Sequence, residues 1–162
     1  NEFSRYARMP VTTLAPNDLN AVVSDAVALF VDAHKDIHFE FRPAEGLPRF
    51  HLDAEQINRV MVNLLDNAVA SLNKQTGHVG VLIRYDEAHR KAVVAVADDG
   101  VGVPADYRRK VFDPYFSTKK SGTGLGLAIV SSIISDHKGT VTVSDNHPTG
   151  TIVSFQLPVN EV

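Results

Sequence analysis

Three closely spaced glycines are the first residues in the sequence that suggest chemistry. The segment "SGTGLGLA", residues 121–128, places them at alternate positions immediately before an apolar run. Such glycines let backbone N–H groups approach an anion closely, and a helix that begins near Leu125 directs its N-terminal donors to the same place. Lys119 and Lys120 lie just upstream and can screen phosphate charge. The segment predicts a phosphate site, although a flexible loop before a helix explains the glycines alone equally well.

The two most familiar phosphate-binding templates do not fit this segment. A dinucleotide fingerprint has the spacing G-x-G-x-x-G after a strand, whereas here Leu127 stands at the position of its third glycine. A Walker loop ends in Gly-Lys-Ser or Gly-Lys-Thr, whereas this segment continues as Gly-Leu-Ala. An anion site of another kind is therefore expected.

Two asparagines, Asn63 and Asn67, are spaced to lie one above the other on a long helix. At about 100° per residue they fall at the edge of its apolar stripe. Their side-chain carbonyl oxygens are neutral hard ligands, which suit Mg²⁺ when substrate phosphates supply the negative charge. The alternative is the solvated edge of an amphipathic helix, which is the simpler explanation of the asparagines alone.

Asp98 ends an apolar strand and has the chemistry to recognise a base. An ionised carboxylate only accepts hydrogen bonds, so it can accept from the exocyclic amino group of adenine and would repel the carbonyl oxygen of guanine. Gly100 and Gly102 follow and permit a tight loop with open space beside the carboxylate. A simple turn formed by Asp-Asp-Gly is the alternative.

Hydrophobic periodicity predicts the elements that must position these residues. Apolar residues at helical spacing indicate helices over residues 17–30, 53–72 and 125–137, with Asn17 and Asp53 as N-caps. Alternating or apolar runs indicate the strands "IHFEFR", "RFHL", "HVGVLIRY", "KAVVAVAD", "TVTVSD" and "TIVSFQLP". Because most strands are joined as hairpins, we predict an α/β fold: a two-layer α/β sandwich with helices on one face of a mixed, mainly antiparallel sheet.

Composition narrows the class of protein. The 162 residues suffice for one domain, and 44% hydrophobic and 22% charged residues are typical of a globular protein. A net charge of −3 argues against nucleic-acid binding, which needs a basic face. The chain has no cysteine, which excludes disulfides, thiolate metal sites and cysteine nucleophiles. No apolar run approaches the ~18 residues of a membrane span, and because the first residue is Asn we expect a piece of a longer protein.

The motifs together resemble the ATP-binding domain of sensor histidine kinases. "NLLDNA", "DDGVG", "FDPYFSTK", "GTGLGLA" and "PTGTIVSFQLP" follow one another in the order of that domain's N, G1, F, G2 and G3 boxes. This domain (HATPase_c, with the Bergerat fold) belongs to the GHKL superfamily of gyrase, Hsp90, histidine kinases and MutL. The resemblance covers residues 11–160. "FSTK" and the opening "NEFSRYARMP" are similar to the nitrogen-regulation sensor kinases (NtrY/NtrB-like), so we expect residues 1–10 to be the end of a dimerisation hairpin and residues 11–162 to be the catalytic ATP-binding domain.

The resemblance implies a role for each matching residue. Asn67 would ligate Mg²⁺, Asn63 would contact phosphate or a metal-bound water, and Asp98 would bind the adenine amino group. Lys119 would reach phosphate from a mobile lid, and Thr151 would flank the adenine site. The other implied ATP-binding positions are Gly100, Gly102, Val103, Phe116, Thr118, Lys120, Gly122, Thr123, Gly124, Leu125, Gly126 and Leu127.

Two positions in the sequence differ from relatives in ways that affect the expected chemistry. Many histidine kinases have Lys or Arg where Ala70 stands, so we expect phosphate neutralisation to depend more on Lys119, Lys120 or Arg59. Hydrolytic members of the superfamily have a glutamate base where Asn63 stands. Because asparagine cannot take a proton from water, we expect slow ATP hydrolysis and transfer of the γ-phosphoryl group to an imidazole.

The resemblance also implies partners. None of the seven histidines lies in an acceptor context, so we expect the acceptor on the dimerisation domain upstream and expect this chain alone to transfer nothing. It implies a response regulator that acts with the full-length kinase, a cytoplasmic domain without direct membrane contact, and no nucleic acid, and it leaves open whether the parent is membrane-anchored. An anti-sigma-type serine kinase and a catalytically silent ATP-sensing module are the alternatives.

Overall fold

A computed structural model describes residues 11–72, 76–101 and 126–160. It contains seven strands and three helices within those residues. In chain order they are β1 (Ala15–Asn17), α1 (Leu19–Ala33), β2 (Ile37–Arg42), β3 (Phe50–Leu52), α2 (Ala54–Ser71), β4 (Gly77–Asp86), β5 (Lys91–Asp98), α3 (Gly126–Asp136), β6 (Thr140–Asp145) and β7 (Thr151–Pro158).

Five of the strands form the main sheet, in the order β2-β4-β5-β7-β6. The β2–β4 pair is parallel, and the other three pairs are antiparallel. The hairpins predicted between β4 and β5 and between β6 and β7 are both present. β5 is the middle strand, so a residue at its end is surrounded by β4 on one side and β7 on the other. The predicted mixed, mainly antiparallel sheet is confirmed.

The helices cover one face of this sheet. Along β4 the alternate residues Val79, Val81 and Ile83 are buried, while His78, Leu82 and Arg84 are exposed. α2 packs against both α1 and α3, so it is the central helix of the second layer. Burial of each large apolar side chain in this interface contributes about 1.5–3 kcal/mol. The predicted two-layer sandwich is therefore the observed one.

The start of α1 differs from the prediction. The helix begins at Leu19 with Asp18 as its N-cap, two residues after the expected start at Asn17. Asn17 instead ends β1, where its side-chain N–H donates to the carbonyl of Leu52 at 3.0 Å. β1 was not expected, and it pairs with β3 in a separate two-stranded sheet.

Asp53 is the predicted N-cap of α2 and also joins three parts of the chain. Its Oδ1 accepts from the Gln56 N–H at 3.1 Å, and its Oδ2 accepts from the Thr13 N–H at 2.8 Å. Its own N–H donates to Nε2 of buried His137, just after α3, at 3.0 Å. The Nδ1–H of His137 donates in turn to the Ile133 carbonyl at 2.8 Å. The cap thus fixes the start of the central helix against the end of α3.

Replacement of Asp53 should therefore destabilise the domain more than loss of an ordinary cap. We expect Asp53→Ala to lower the free energy of unfolding by about 1–3 kcal/mol, because a cap and a second, part-buried hydrogen bond are both lost. Asp18→Ala is the matched control, since the Asp18 cap is exposed and its bond to the Ala21 N–H is 3.4 Å long. Urea unfolding of the two variants measures the difference, and equal losses would contradict this account of Asp53.

Candidate functional site

Asp98 lies at the end of β5 with its side chain turned into the interior, where it is 6% exposed. Burial raises the pKa of its carboxyl above the usual value for aspartate. Hydrogen bonds from the Gly100 N–H and the Thr151 N–H oppose that shift. The Ser71 hydroxyl also opposes it, with a proton that it shares with the Ala68 carbonyl at 2.9 Å. The nearby charge of Asp99 adds to the shift. The result is a buried carboxylate that already faces donors from α2 and β7 and that can accept further hydrogen bonds.

The turn after Asp98 is packed tightly against the end of α2. The Gly100 N–H donates to Asp98 Oδ1 at 2.9 Å, and the Val101 N–H donates to the Ser71 carbonyl at 3.2 Å. A Cβ atom at position 100 would lie 2.3 Å from that same carbonyl oxygen. Glycine is therefore required at position 100 by its closeness to the helix.

The loop between β6 and β7 holds the same turn from the other side. The Asn146 side-chain N–H donates to the Asp98 carbonyl at 2.8 Å, and the Thr149 hydroxyl donates to the Asp99 carbonyl at 3.2 Å. Gly150 has a φ of +109°, and a Cβ there would lie 1.9 Å from the Asp98 carbonyl oxygen. Sequence reasoning assigned no role to Asn146 or Thr149, since "NHPTG" indicates only a hairpin turn.

The two predicted asparagines lie on α2, which ends beside Asp98. Asn63 and Asn67 are both half-buried. Together with Arg59 and Ser71 they are spaced four residues apart, so all four share one ridge of the helix. At 1.5 Å per residue this ridge runs about 18 Å from Ser71 to Arg59. It begins at the buried carboxylate and continues along the helix as a line of polar side chains.

The N-terminus of α3 meets this ridge at Asn67. A Cβ atom on Gly126, the first residue of α3, would lie 3.9 Å from Asn67 Nδ2, which is ordinary contact distance. The last glycine of "GTGLG" therefore lies against the proposed metal ligand. Leu127, next in the chain, is half-buried and packs against the hydrophobic core.

The structure describes seven of the predicted site residues. Six of them line this region: Asn63, Asn67, Asp98, Gly100, Gly126 and Thr151. The seventh, Leu127, packs against the hydrophobic core instead. Thr151 is 7% exposed and contacts Asp98 through its backbone N–H. The other predicted positions lie outside the described residues. They are Gly102, Val103, Phe116, Thr118, Lys119, Lys120, Gly122, Thr123, Gly124 and Leu125.

The family model for the histidine kinase-, DNA gyrase B- and HSP90-like ATPases matches residues 52–161, which contain every one of these positions. The chain belongs to this family. The sensor histidine kinase ZraS of Klebsiella oxytoca is 36% identical to it over 145 residues, which cover 88% of this chain and 31% of ZraS. The histidine kinase/phosphatase NtrB of Rhodobacter capsulatus is 38% identical over 138 residues, which cover 78% of this chain and 38% of NtrB.

Solved structures of this ATPase family have the same fold. The mycobacterial sensor histidine kinase MprB superposes with a TM-score of 0.80 at 30% identity, covering 93% of this chain and all of that one. Full-length ShkA in complex with AMPPNP superposes with a TM-score of 0.84 at 26% identity, covering 99% of this chain and 34% of ShkA. The resemblance to the ATP-binding catalytic domain of sensor histidine kinases, including the nitrogen-regulation type, is therefore confirmed.

This chain spans about a third of the length of the curated sensor kinases that it matches, for example 31% of ZraS. Those relatives thus contain further domains. Among the residues that the structure describes, no helix is both long and apolar enough to cross a membrane.

The close packing at position 100 gives a prediction about this ATP-binding domain. Gly100→Ala should lower the free energy of unfolding by about 1–3 kcal/mol, because the added methyl group overlaps a backbone oxygen that cannot move freely. Gly80→Ala is the matched control, since a Cβ at position 80 has nothing within 4 Å. That variant should be unchanged or slightly more stable. Thermal unfolding of both variants tests this, and an unaffected Gly100→Ala would contradict the observed packing.

Proposed function

We propose that this domain binds Mg²⁺–ATP and donates the γ-phosphoryl group to a histidine on the dimerisation domain of its parent kinase. The observation that carries the proposal is the buried Asp98 carboxylate at one end of the α2 ridge, with Asn67 and Asn63 farther along it. The family match and the AMPPNP complex of ShkA support the choice of nucleotide.

Asp98 selects the base in this proposal. A carboxylate only accepts hydrogen bonds, and one that is 6% exposed leaves room for few partners. The amino group of adenine supplies a donor, whereas guanine places a carbonyl oxygen at that position. Burial strengthens this discrimination because an unpaired or repelled charge in a poorly solvated site is unfavourable. Thr151 and Gly100 hold the carboxylate in place as the base enters.

The α2 ridge receives the phosphates in this proposal. Asn67 would hold Mg²⁺ through its neutral amide oxygen, and the metal would supply charge neutralisation to the phosphate oxygens. Asn63, one turn earlier, would contact phosphate, and Arg59 would add positive charge at the far end. Gly126 adjoins Asn67, so the glycines at 122 and 124 and the lysines at 119 and 120 would cover the phosphates from the opposite side.

The expected reaction follows from the residue at position 63, which is asparagine and not a general base. Asparagine cannot act as a general base, so activation of water loses a contribution of about 10²–10⁴-fold. A neutral imidazole nucleophile needs no such base. In the transfer, a P–N bond forms to the imidazole as the bond between the γ-phosphorus and the bridging oxygen breaks. ADP leaves, and the imidazole proton passes to solvent. The domain contributes positioning and charge neutralisation.

Several histidines of this chain are already held by other groups, which favours an acceptor elsewhere. His137 is buried with both ring nitrogens bonded, His51 contacts the Asn160 carbonyl, and His78 and His89 pair with aspartates. We therefore place the acceptor on the dimerisation domain and assign residues 1–10 to the end of its second helix. A response regulator would receive the phosphoryl group from the full-length kinase in the cytoplasm, without nucleic acid or direct membrane contact.

The nucleotide assignment predicts separate effects for two variants. Asn67→Ala should abolish the Mg²⁺-dependent part of ATP binding, and Asp98→Asn should reduce the preference for ATP over GTP. Thermal shifts measure both, because a ligand at about 100 times Kd adds about 2.7 kcal/mol of stability. Wild-type Mg²⁺ dependence in the first variant, or unchanged selectivity in the second, would overturn the corresponding role.

The raised pKa of Asp98 predicts how ATP affinity depends on pH. Adenine binds the ionised carboxylate in this proposal, so protons compete with ATP. Because burial raises the pKa of Asp98, affinity should begin to fall at a higher pH than an ordinary aspartate would give. Calorimetric titrations from neutral pH downward test this. Asp98→Asn is the control, because any pH dependence that both proteins share arises from ionisation of the ATP phosphates. Identical profiles for the two proteins would count against the role of Asp98.

Phosphoryl transfer itself is tested with a dimerisation hairpin that carries a histidine. Incubation with labelled ATP should give acid-labile label on that hairpin and none on this chain alone. Acid-stable label on a partner serine would favour the anti-sigma type of kinase. ATP binding without transfer to any paired hairpin would favour an ATP-sensing module.

A further inference from the structure

The residue after the adenine-binding aspartate makes a two-point contact of its own. Asp99 turns its carboxylate away from Asp98 and toward β4. Its Oδ1 accepts from the His78 backbone N–H at 2.9 Å, and its Oδ2 lies 2.9 Å from His78 Nδ1. The first of these bonds lowers the pKa of the Asp99 carboxyl below its usual value, with further lowering by the His78 side chain. Asp99 is thus a charged acceptor held by both the backbone and the ring of one residue.

The register of the sheet explains where this contact acts. The last β4–β5 pair joins Asp98 to Val79, so His78 and Asp99 stand one position beyond the ladder. The Asp99 carboxylate therefore continues the strand pairing past its last backbone pair, with a side chain in place of a backbone carbonyl. The Thr149 hydroxyl holds the Asp99 carbonyl from the β7 side at 3.2 Å. The chain immediately after Asp98 is thereby fixed on both sides.

We propose that His78 and Asp99 are positioning residues for adenine recognition: their contact fixes the backbone from which the Asp98 side chain reaches the base. This inference rests on the proposed role of Asp98. Gly100 is fixed against α2, and Asp99 is fixed against β4, so the two anchors set the direction of the turn between them. Neither His78 nor Asp99 is assigned a contact with the nucleotide.

Exposure separates positioning from a merely structural role. The His78 and Asp99 side chains are 70% and 38% exposed, and exposed pairs of this kind contribute little to folding stability. If the pair had only a structural role, its removal would therefore change both folding stability and adenine affinity very little. Positioning predicts a loss of adenine affinity that is much larger than the loss of stability, because small displacements of a binding group strongly weaken its hydrogen bond.

At Asp99, loss of the charge and loss of the hydrogen bonds are expected to change adenine affinity in opposite directions. Its negative charge helps to raise the pKa of Asp98, so removal of that charge favours the ionised Asp98 and, taken alone, tighter adenine binding. Loss of the two hydrogen bonds has the opposite effect. Asp99→Asn removes the charge and keeps an acceptor for the His78 N–H, whereas Asp99→Ala removes both. The two substitutions therefore distinguish the two effects.

The chain contains a matched control for these variants. Asp86 and His89, at the other end of the β4–β5 hairpin, form the same kind of pair: Asp86 Oδ1 accepts from the His89 N–H at 3.3 Å, and Oδ2 lies 2.9 Å from His89 Nδ1. The His89 and Asp86 side chains are 75% and 32% exposed, close to the values of His78 and Asp99. This pair stands away from the site, so Asp86→Ala controls for the loss of an aspartate–histidine contact as such.

The test is calorimetric binding of Mg²⁺–ADP and Mg²⁺–GDP to the wild type and to each variant, with thermal unfolding in parallel. Asp99→Ala should weaken ADP binding about tenfold, roughly the effect of misaligning one hydrogen bond to a charged group. His78→Ala keeps the backbone bond, so its loss should be smaller. Asp99→Asn should bind ADP at least as well as the wild type does, and Asp86→Ala should match the wild type.

The outcomes separate this inference from the proposed function. If Asp98→Asn loses selectivity for ADP over GDP but Asp99→Ala keeps wild-type affinity for ADP, the positioning role is wrong and the proposed function stands. If Asp99→Ala and Asp86→Ala weaken binding equally, or in proportion to lost stability, positioning is again wrong. If the wild type does not distinguish ADP from GDP, both proposals fall. If Asp99→Asn weakens ADP binding as much as Asp99→Ala does, the retained acceptor for the His78 N–H does not preserve affinity, and the positioning proposal is wrong.

Discussion

A carboxylate buried at the end of a central strand is unfavourable unless its surroundings supply donors and hold it in place. Asp98 is such a carboxylate, and the elements around it supply hydrogen-bond donors. The end of α2, the start of β7 and the turn after β5 each provide a donor to its side chain. These donors do not cancel the effect of burial, so its pKa stays raised. A carboxylate has about four acceptor positions, and these donors number three. It can therefore accept one more hydrogen bond, which is the property that adenine recognition requires.

The rest of the fold places that carboxylate relative to the two asparagines that we propose bind the metal and phosphate. α2 lies centrally in the helical layer, and its start is fixed by Asp53, which contacts the N-terminal segment and His137. Its end is fixed by the contact between Ser71 and the turn at Gly100. A helix anchored at both ends presents its polar ridge at a constant distance from Asp98. The fixed wall of the proposed site is therefore built from regular elements.

Much of this arrangement follows from local patterns in the sequence. Asp98 has the same parity along its strand as Val94 and Val96, so its inward direction was predictable, and the Asp53 cap follows from residue type and position. The start predicted for α1 was wrong because Asn17 and Asp18 are both good N-cap residues. A long-range bond from Asn17 to Leu52 decides between them. The three-residue β1 contains a proline and has no periodicity to detect. The bonds of Asn146 to Asp98 and of His78 to Asp99 depend on strand register, which local sequence does not reveal.

The central claim is that Asp98 is a buried, ionised acceptor for adenine, and a carbon-13 NMR titration of its side-chain carboxyl tests this most directly. The resonance can be assigned from the spectrum of Asp98→Asn. The account predicts a pKa above the usual range for aspartate in the free domain, and a lower pKa when Mg²⁺–ADP is bound, because the adenine amino group favours the ionised form. An ordinary pKa in the free domain, or one that Mg²⁺–ADP leaves unchanged, would contradict it.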